Sequence, residues 1–208
     1  MNFSRRLQFL SELHQSETNI WDIGCDHGLL GLSFVQRLDI ESVHLVDPSL
    51  DVINALQVKL LDSDIPKKEK ISIHQKKGEE IKICSSQNLI FIAGMGGKNI
   101  IDILKHLSNQ IDRSSKVVIS PHKNILETRN YLHDSEWRLM SEHLVQENSQ
   151  FYQVMSLKNE DSLPRVSRYG AEIWQNNLGK EYKNHLLKHL RTHRDEKSKQ
   201  YVQFLEQI

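Results

Sequence analysis

The stretch at residues 20–32, I-W-D-I-G-C-D-H-G-L-L-G-L, constrains the fold more than any other part of the chain. An apolar strand runs into a glycine turn and a helix starts directly after it. Asp22, Gly24, Asp26, Gly28 and Gly31 alternate with apolar residues, so carboxylates stand at the carboxyl end of the strand. A backbone that approaches a ligand closely beside a helix start has the geometry of a nucleotide site. The glycines read G-x-x-x-G-x-x-G, not the dinucleotide G-x-G-x-x-G, and a carboxylate precedes the turn where a pyrophosphate would be repelled. The group bound near Asp22 is therefore cationic or neutral, and a sulfonium cofactor with an amino-acid tail, S-adenosylmethionine, meets that demand. A ligand-free turn is the alternative, but two acids and three glycines are costly in a turn that serves only the fold.

The chain of 208 residues has room for one α/β domain and roughly 40 to 50 further residues as an appendage. Its 27 Lys and Arg balance 27 Asp and Glu, so bulk charge cannot carry nucleic-acid binding and any such role rests on a local basic face. The two cysteines, Cys25 and Cys84, lie far apart in apolar strand contexts, which suggests neither a disulfide framework nor a zinc site. No stretch approaches the roughly 18 apolar residues of a membrane span. A soluble cytoplasmic protein, monomeric, with no membrane and no metal partner, is the expectation.

Residues 3–13 place Phe3, Leu7, Leu10 and Leu13 about one helical turn apart, with Arg5 and Arg6 on other faces. Residues 20–23 form the first strand, and residues 29–38 a helix whose Leu29, Leu30, Leu32, Phe34 and Val35 suit burial against a sheet. The second strand, 43–46, ends in Asp47, where a ribose-binding acid is expected in this architecture, and Pro48 stops it. A helix over 50–61, a lysine-bearing link over 63–70 and a third strand over 71–74 follow. Residues 81–84 read as part of a short helix. The apolar run 89–93 is the mark of a central strand buried on both faces. It ends in G-M-G-G at 94–97, and a helix carrying Ile100, Ile101, Ile103, Leu104 and Leu107 begins directly afterwards. A fifth strand at 117–119 is stopped by Pro121, and a helix spans 125–133. Residues 137–146 and 151–158 then alternate apolar with polar around E-N-S-Q, a hairpin signal.

From Leu163 the pattern changes, and residues 180–207 form a long helical stretch without glycine or proline. Tyr182, Leu186, Leu190, Tyr201, Leu205 and Ile208 make an apolar stripe. Lys183, Lys188, Arg191, Arg194, Lys197 and Lys199, with His185, His189 and His193, make the remainder partly basic. Such a helix packs back on the core or on the 168–177 segment with solvated charges, or it contacts RNA, and the two readings are compatible. The organisation expected is a domain at 1–160 and a helical extension at 161–208.

Five features coincide: D-I-G-C-D-H-G after the first strand, Asp47 after the second, G-E-E after the third, I-A-G-M-G-G after the fourth, and the closing hairpin. Together they resemble a class I methyltransferase, which implies an α/β, Rossmann-like, mostly parallel sheet with an antiparallel terminal hairpin. The chain is most similar to the bacterial tRNA adenine-N1 methyltransferase family that modifies adenine 22, where strand one runs into D-I-G-x-D-H and strand four into I-A-G-M-G-G. Arg6-Leu7, the Tyr169-Gly170 pair and the terminal helical part also look like that family. Ser120, Pro121 and His122 stand where the family commonly carries Q-P-N.

The resemblance implies that Asp22 and Gly24 hold the methionine end of S-adenosylmethionine, with Asp26 and His27 shaping the turn. Asp47 would accept both ribose hydroxyls, and Gly78 and Glu79 would lie beside the adenine. Ala93, Gly94, Met95 and Gly96 would line the transfer site together with Pro121 and His122. His27, His122 and Asn124 are candidates for holding a target base drawn out of its stack. Arg5, Arg6, Lys188, Arg191 and Arg194 would meet tRNA phosphates. Plainer readings are a surface acid for Glu79, core filling for Met95 and a hydrogen-bonded turn residue for His27. A methyltransferase acting on another RNA or a small molecule, and a non-catalytic RNA-binding module on the same scaffold, are the competing functions. The second sits badly with retained cofactor carboxylates.

Overall fold

The computed structural model describes residues 3–62, 64–191 and 196–208. Seven strands form one sheet, and their identity follows from burial. In β1 (Asn19–Ile23) every residue is buried, as are the first five residues of β4 (Asn88–Ala93) and all of β5 (Lys116–Ser120). Continuous apolar runs of this kind mark strands covered on both faces. With β2 (Ser42–Asp47), β3 (Ile71–Gln75), β6 (Arg138–Glu147) and β7 (Gln150–Lys158), the order is β3-β2-β1-β4-β5-β7-β6. Strands β1 to β5 pair in parallel, whereas β7 is antiparallel to both β5 and β6. Asn148, with φ of +55°, turns the hairpin between the last two strands.

Successive side chains on β1 and β4 feed opposite layers. Ile20, Leu89 and Phe91 pack with Leu10 of helix α1 (Arg5–Glu12), Leu30 and Leu32 of α2 (Leu29–Leu32) and Leu56 of α3 (Leu50–Asp62). Trp21, Ile90 and Ile92 pack on the other side with Ile100, Ile103 and Leu104 of α4 (Gly97–Leu107) and Leu132 of α5 (Ile125–Asp134). The order reverses between β1 and β4, where β1 is followed outward by β2 and β4 by β5. Ligands of open α/β sheets bind at the carboxyl ends of the strands flanking such a switch point.

Three elements differ from the expectations. The helix predicted over 29–38 is α-helical only to Leu32, because the amides of Ser33, Phe34, Val35 and Arg37 each bond three residues back. Phe34 and Val35 remain buried in those tighter turns. Residues 81–84 are not helical: Ile81 and Ile83 are buried while Lys82 and Cys84 are exposed, the two-residue alternation of an extended chain. The helical turn in this connection is a 3₁₀ turn at Gly78–Glu80. The single helix expected over 180–207 is two helices, α6 (Asn177–Leu190) and α7 (Glu196–Gln207). Both carry apolar stripes that need a partner, and they find it in the 169–174 segment. The Tyr169 ring stacks on Tyr201 and Phe204 at 5.2 and 4.8 Å, and Trp174 lies parallel to Tyr182 at 5.5 Å.

A buried polar cluster ties this terminal part to the sheet. Arg129 on α5 donates through Nε to Gln153 Oε1 at 2.7 Å, through Nη1 to the Ser167 carbonyl at 2.7 Å and through Nη2 to Glu142. Glu142 Oε1 in turn accepts from the amides of Ala171 and Glu172 at 2.6 and 2.8 Å, and Gln153 Nε2 donates to the Tyr182 hydroxyl at 3.2 Å.

Candidate active site

Asp22 is 6% exposed, and its Oδ2 accepts from the Gly31 amide at 2.9 Å. A Cβ on Gly31 would lie 2.4 Å from Leu45 Cδ2 and 3.3 Å from that same carboxylate oxygen, so only glycine allows the contact. Burial raises the Asp22 pKa to about 7; the Gly31 amide works against the rise and the neighbouring Asp47 charge adds to it. Asp22 thus sits at the protonation boundary near neutrality, ready to ionise beside a cation. Gly24 has φ of +72°, and a Cβ there would stand 2.6 Å from the Met95 Cε.

Asp47 at the end of β2 accepts from Ser49 N at 2.9 Å and from Asp26 N at 3.4 Å, which ties the start of α3 to the first glycine turn. A carboxylate offers about four acceptor positions, so two remain for hydroxyl donors. Cys25 lies among these acids. Burial pushes its thiol pKa up, and the charges of Asp22 and Asp47 reinforce the rise, so it keeps its proton and is no nucleophile.

The opposite wall is made by two loops bonded to one another. Gly94 N donates to Ser120 O at 3.4 Å, His122 N to Met95 O at 3.0 Å and Gly97 N to Lys123 O at 2.9 Å. The loop after β4, with Ala93, Gly94, Met95 and Gly96, is thereby brought against Pro121 and His122. A Cβ on Gly94 or Gly96 would meet nothing within 4 Å, so the rim is open there.

Between these walls are two cavities that share Gly24. One, of about 230 Å³, is lined by Arg6, Asp22, Cys25, Asp26, His27 and His122, with Ala93 and Gly94 at its edge. The other, of about 290 Å³, is lined by Pro48, Lys77, Gly78, Glu79, Met95 and Asp102 among others. The first is acidic on its floor and suits an aminoacyl tail bearing a cation, while the second has the apolar and polar mixture of a nucleoside pocket.

Most of the cofactor residues named from the sequence therefore converge. Asp47 lies just behind them, 9% exposed, and lines neither cavity. Asn124, with φ of +59°, precedes α5 and lines neither cavity. Arg5 lies on a separate groove with Phe9, Leu144 and Leu178. Arg6, expected on an outer face, instead enters the first cavity. Lys188 is exposed on α6, and Arg191 pairs with Glu206 of α7 at 2.8 Å. Arg194 falls outside the described residues. Sequence reasoning missed Tyr152, whose ring lies beneath Arg6, and the Arg129–Glu142 pair. The spacing of Arg129 from Ile125 and Leu132 places it on the buried face of its helix, and that was the available signal.

A parallel sheet with acids at the ends of β1 and β2 and a glycine rim after β4 defines a class I methyltransferase. A family model described as a methyltransferase domain matches residues 3–155, and a Mycoplasma pneumoniae (strain ATCC 29342 / M129) protein named as a candidate tRNA methyltransferase is 30% identical over 162 residues, 74% of this chain and 70% of its own. The tRNA (adenine(22)-N(1))-methyltransferase of Bacillus subtilis (strain 168) is 25% identical over 159 residues, 74% of this chain and 64% of its own. The chain belongs to the methyltransferase-domain family. M. capricolum TrmK in complex with S-adenosyl-homocysteine has the same fold, with a TM-score of 0.78 at 19% identity over 99% of this chain and 94% of that one.

Proposed function

We propose that this protein transfers a methyl group from S-adenosylmethionine to N1 of adenine 22 in tRNA. The observation that carries the reading is the pair of cavities meeting at Gly24 beneath the rim formed by residues 93–97 and 120–122. Their residues fit the cofactor. Asp22, Asp26 and the turn at Gly24 and His27 face a cationic tail, Asp47 has acceptor positions left for ribose hydroxyls, and Gly78 and Glu79 flank the space for the adenine. The cofactor supplies an electrophilic methyl group, and adenine N1 already carries a lone pair, so the protein has to align the two and exclude water. Such orientation is worth up to about 7 to 11 kcal/mol.

In this reading Met95 and Gly96 border the path of transfer, and Pro121 and His122 close the rim against which the target base rests. Asn124 is exposed and stands two residues beyond His122, where it can meet nucleotides flanking that base. Residues 1–160 act as the catalytic part and residues 161–208 as the extension toward tRNA, with Arg5, Lys188, Arg191 and Arg194 as phosphate contacts. Arg191 spends part of its charge on Glu206, so Lys188 carries the larger share. Among the described residues no helix is long and apolar enough to cross a membrane, and no group of three His, Cys, Asp or Glu could hold a metal ion. We take the protein to act as a cytoplasmic monomer.

Mass spectrometry of tRNA nucleosides after incubation with the protein and isotopically labelled cofactor tests the reading. Labelled 1-methyladenosine at position 22 is the expected product. Label in another nucleoside, or none in tRNA, refutes it.

A further inference from the structure

Arg6 is delivered into the first cavity by a firmly placed helix. Ser4 caps α1 by accepting from Leu7 N at 3.2 Å, Leu10 is fully buried, and the loop after the helix is held by Lys116, which bonds the Leu13 carbonyl at 2.6 Å and Glu17 at 2.9 Å. The guanidinium lies over the Tyr152 ring, 4.6 Å from its centroid, and donates to His122 Nε2. Since a guanidinium only donates, that ring nitrogen must carry a lone pair and His122 is neutral there. Partial burial lowers the His122 pKa, and the Arg6 charge lowers it further. Arg6 Nε is buried and has no hydrogen-bond partner. A permanent cation with five donors is thus held in a cavity wall by one neutral acceptor and one aromatic face, and is short of a counter-charge.

The remaining charged groups of that cavity show what is missing. Among the described residues that line it, Arg6 alone bears a fixed positive charge, opposite Asp22 and Asp26. The tail of S-adenosylmethionine carries an ammonium and a carboxylate. The two acids suit the ammonium and repel the carboxylate.

We propose that Arg6 is the anchor of the cofactor's α-carboxylate, a different task from the phosphate contact expected of it. This rests on reading the cavity as the S-adenosylmethionine site. The donors now unpaired or spent on His122 turn to the carboxylate, and a forked guanidinium pairs such a group through two parallel bonds. Arg6 thereby selects a ligand with the complete amino-acid tail over one that lacks only the acid.

Isothermal calorimetry with S-adenosylmethionine and with its decarboxylated analogue, on the full chain and on Arg6→Ala and Arg6→Lys, tests this. The wild type should prefer the intact cofactor by about tenfold to a hundredfold. Arg6→Ala should lose that preference while binding the decarboxylated ligand as the wild type does, which also shows that the variant is folded. Arg6→Lys should recover part of the preference. If Arg6→Ala keeps the wild-type preference, or weakens both ligands equally, the anchor is refuted. A wild type that binds both ligands equally well refutes the anchor while leaving the cofactor site intact, and one that binds neither overturns the reading of the cavity itself.

Discussion

The guanidinium of Arg129 and the carboxylate of Glu142 form an ion pair in which the two side chains are 1% and 0% exposed. Burial alone would raise the Glu142 pKa, but the charge and hydrogen bond of Arg129 and the amides of Ala171 and Glu172 outweigh it and leave it lowered. Breaking a pair of this kind from one side leaves a buried charge without compensation. Arg129→Met should cost about 3–5 kcal/mol of stability, and Arg129→Met with Glu142→Gln should recover part of it, since the amide oxygen still accepts from the 171–172 backbone. Urea unfolding of the three proteins measures this, and equal losses in the single and double variants would contradict it.

The pKa of about 7 at Asp22 predicts pH-dependent cofactor binding. Folding alone favours the protonated carboxyl. Its contribution to stability is therefore complete below the ordinary value of 3.8 and declines as pH rises towards 7. A cationic ligand favours the ionised form, so affinity should rise by up to about tenfold per pH unit below 7 and level off above it. Asp22→Asn should bind more weakly, with a flatter profile between pH 6 and 8 in calorimetric titrations.

Asp47 has two tasks that separate by substitution. Asp47→Asn keeps an oxygen for Ser49 N but sets an NH2 group opposite Asp26 N and loses the charge, and should weaken cofactor binding by about tenfold with a smaller fall in melting temperature than Asp47→Ala. Asp47→Ala removes both acceptors and should cost a further 1–3 kcal/mol or so of stability. Thermal melting measured beside calorimetry distinguishes the two variants.

His44 lies flat against Trp21, centroids 3.9 Å apart, and its Nδ1 is 3.0 Å from Nε2 of His74. Burial, aided by the His74 charge, lowers its pKa from 6.5 to about 4. A depressed histidine contributes stability above its unfolded value, and that contribution is lost as pH falls from 6.5 towards 4. His44→Gln should therefore show a smaller drop in melting temperature between pH 7 and pH 4.5 than the wild type. An undiminished drop would assign the acid sensitivity elsewhere.

Much of this architecture was legible because burial on two faces leaves a plain trace. The run at 89–93 reads as a central strand, and it is one. Asp22 and Gly24 read as a turn at a strand end, and they stand at the carboxyl end of β1 beside a cavity, since a strand end must present polar groups where the sheet stops. What escaped was set by partners distant in the chain. Whether Arg6 faces solvent or a cavity depends on Tyr152 and His122, and nothing within a turn of Arg6 encodes them. That α6 and α7 are two helices was hidden because residues 180–207 hold no glycine or proline, and the 169–174 segment that both pack against is not encoded within either helix. Ile81 and Ile83 misled because two apolar residues fit either period.

The Arg129 cluster also sets an order of events as the chain is made. The sheet is complete once residue 158 has emerged, but the Ser167 carbonyl, the Ala171 and Glu172 amides and the Tyr182 hydroxyl are still to come. For that interval the nascent protein has its sheet and its Arg129–Glu142 pair but lacks the groups that complete the hydrogen bonds of that cluster. A sheet ending there would hold a buried ion pair with unfilled donors and acceptors, so residues 167–182 steady the sheet from within.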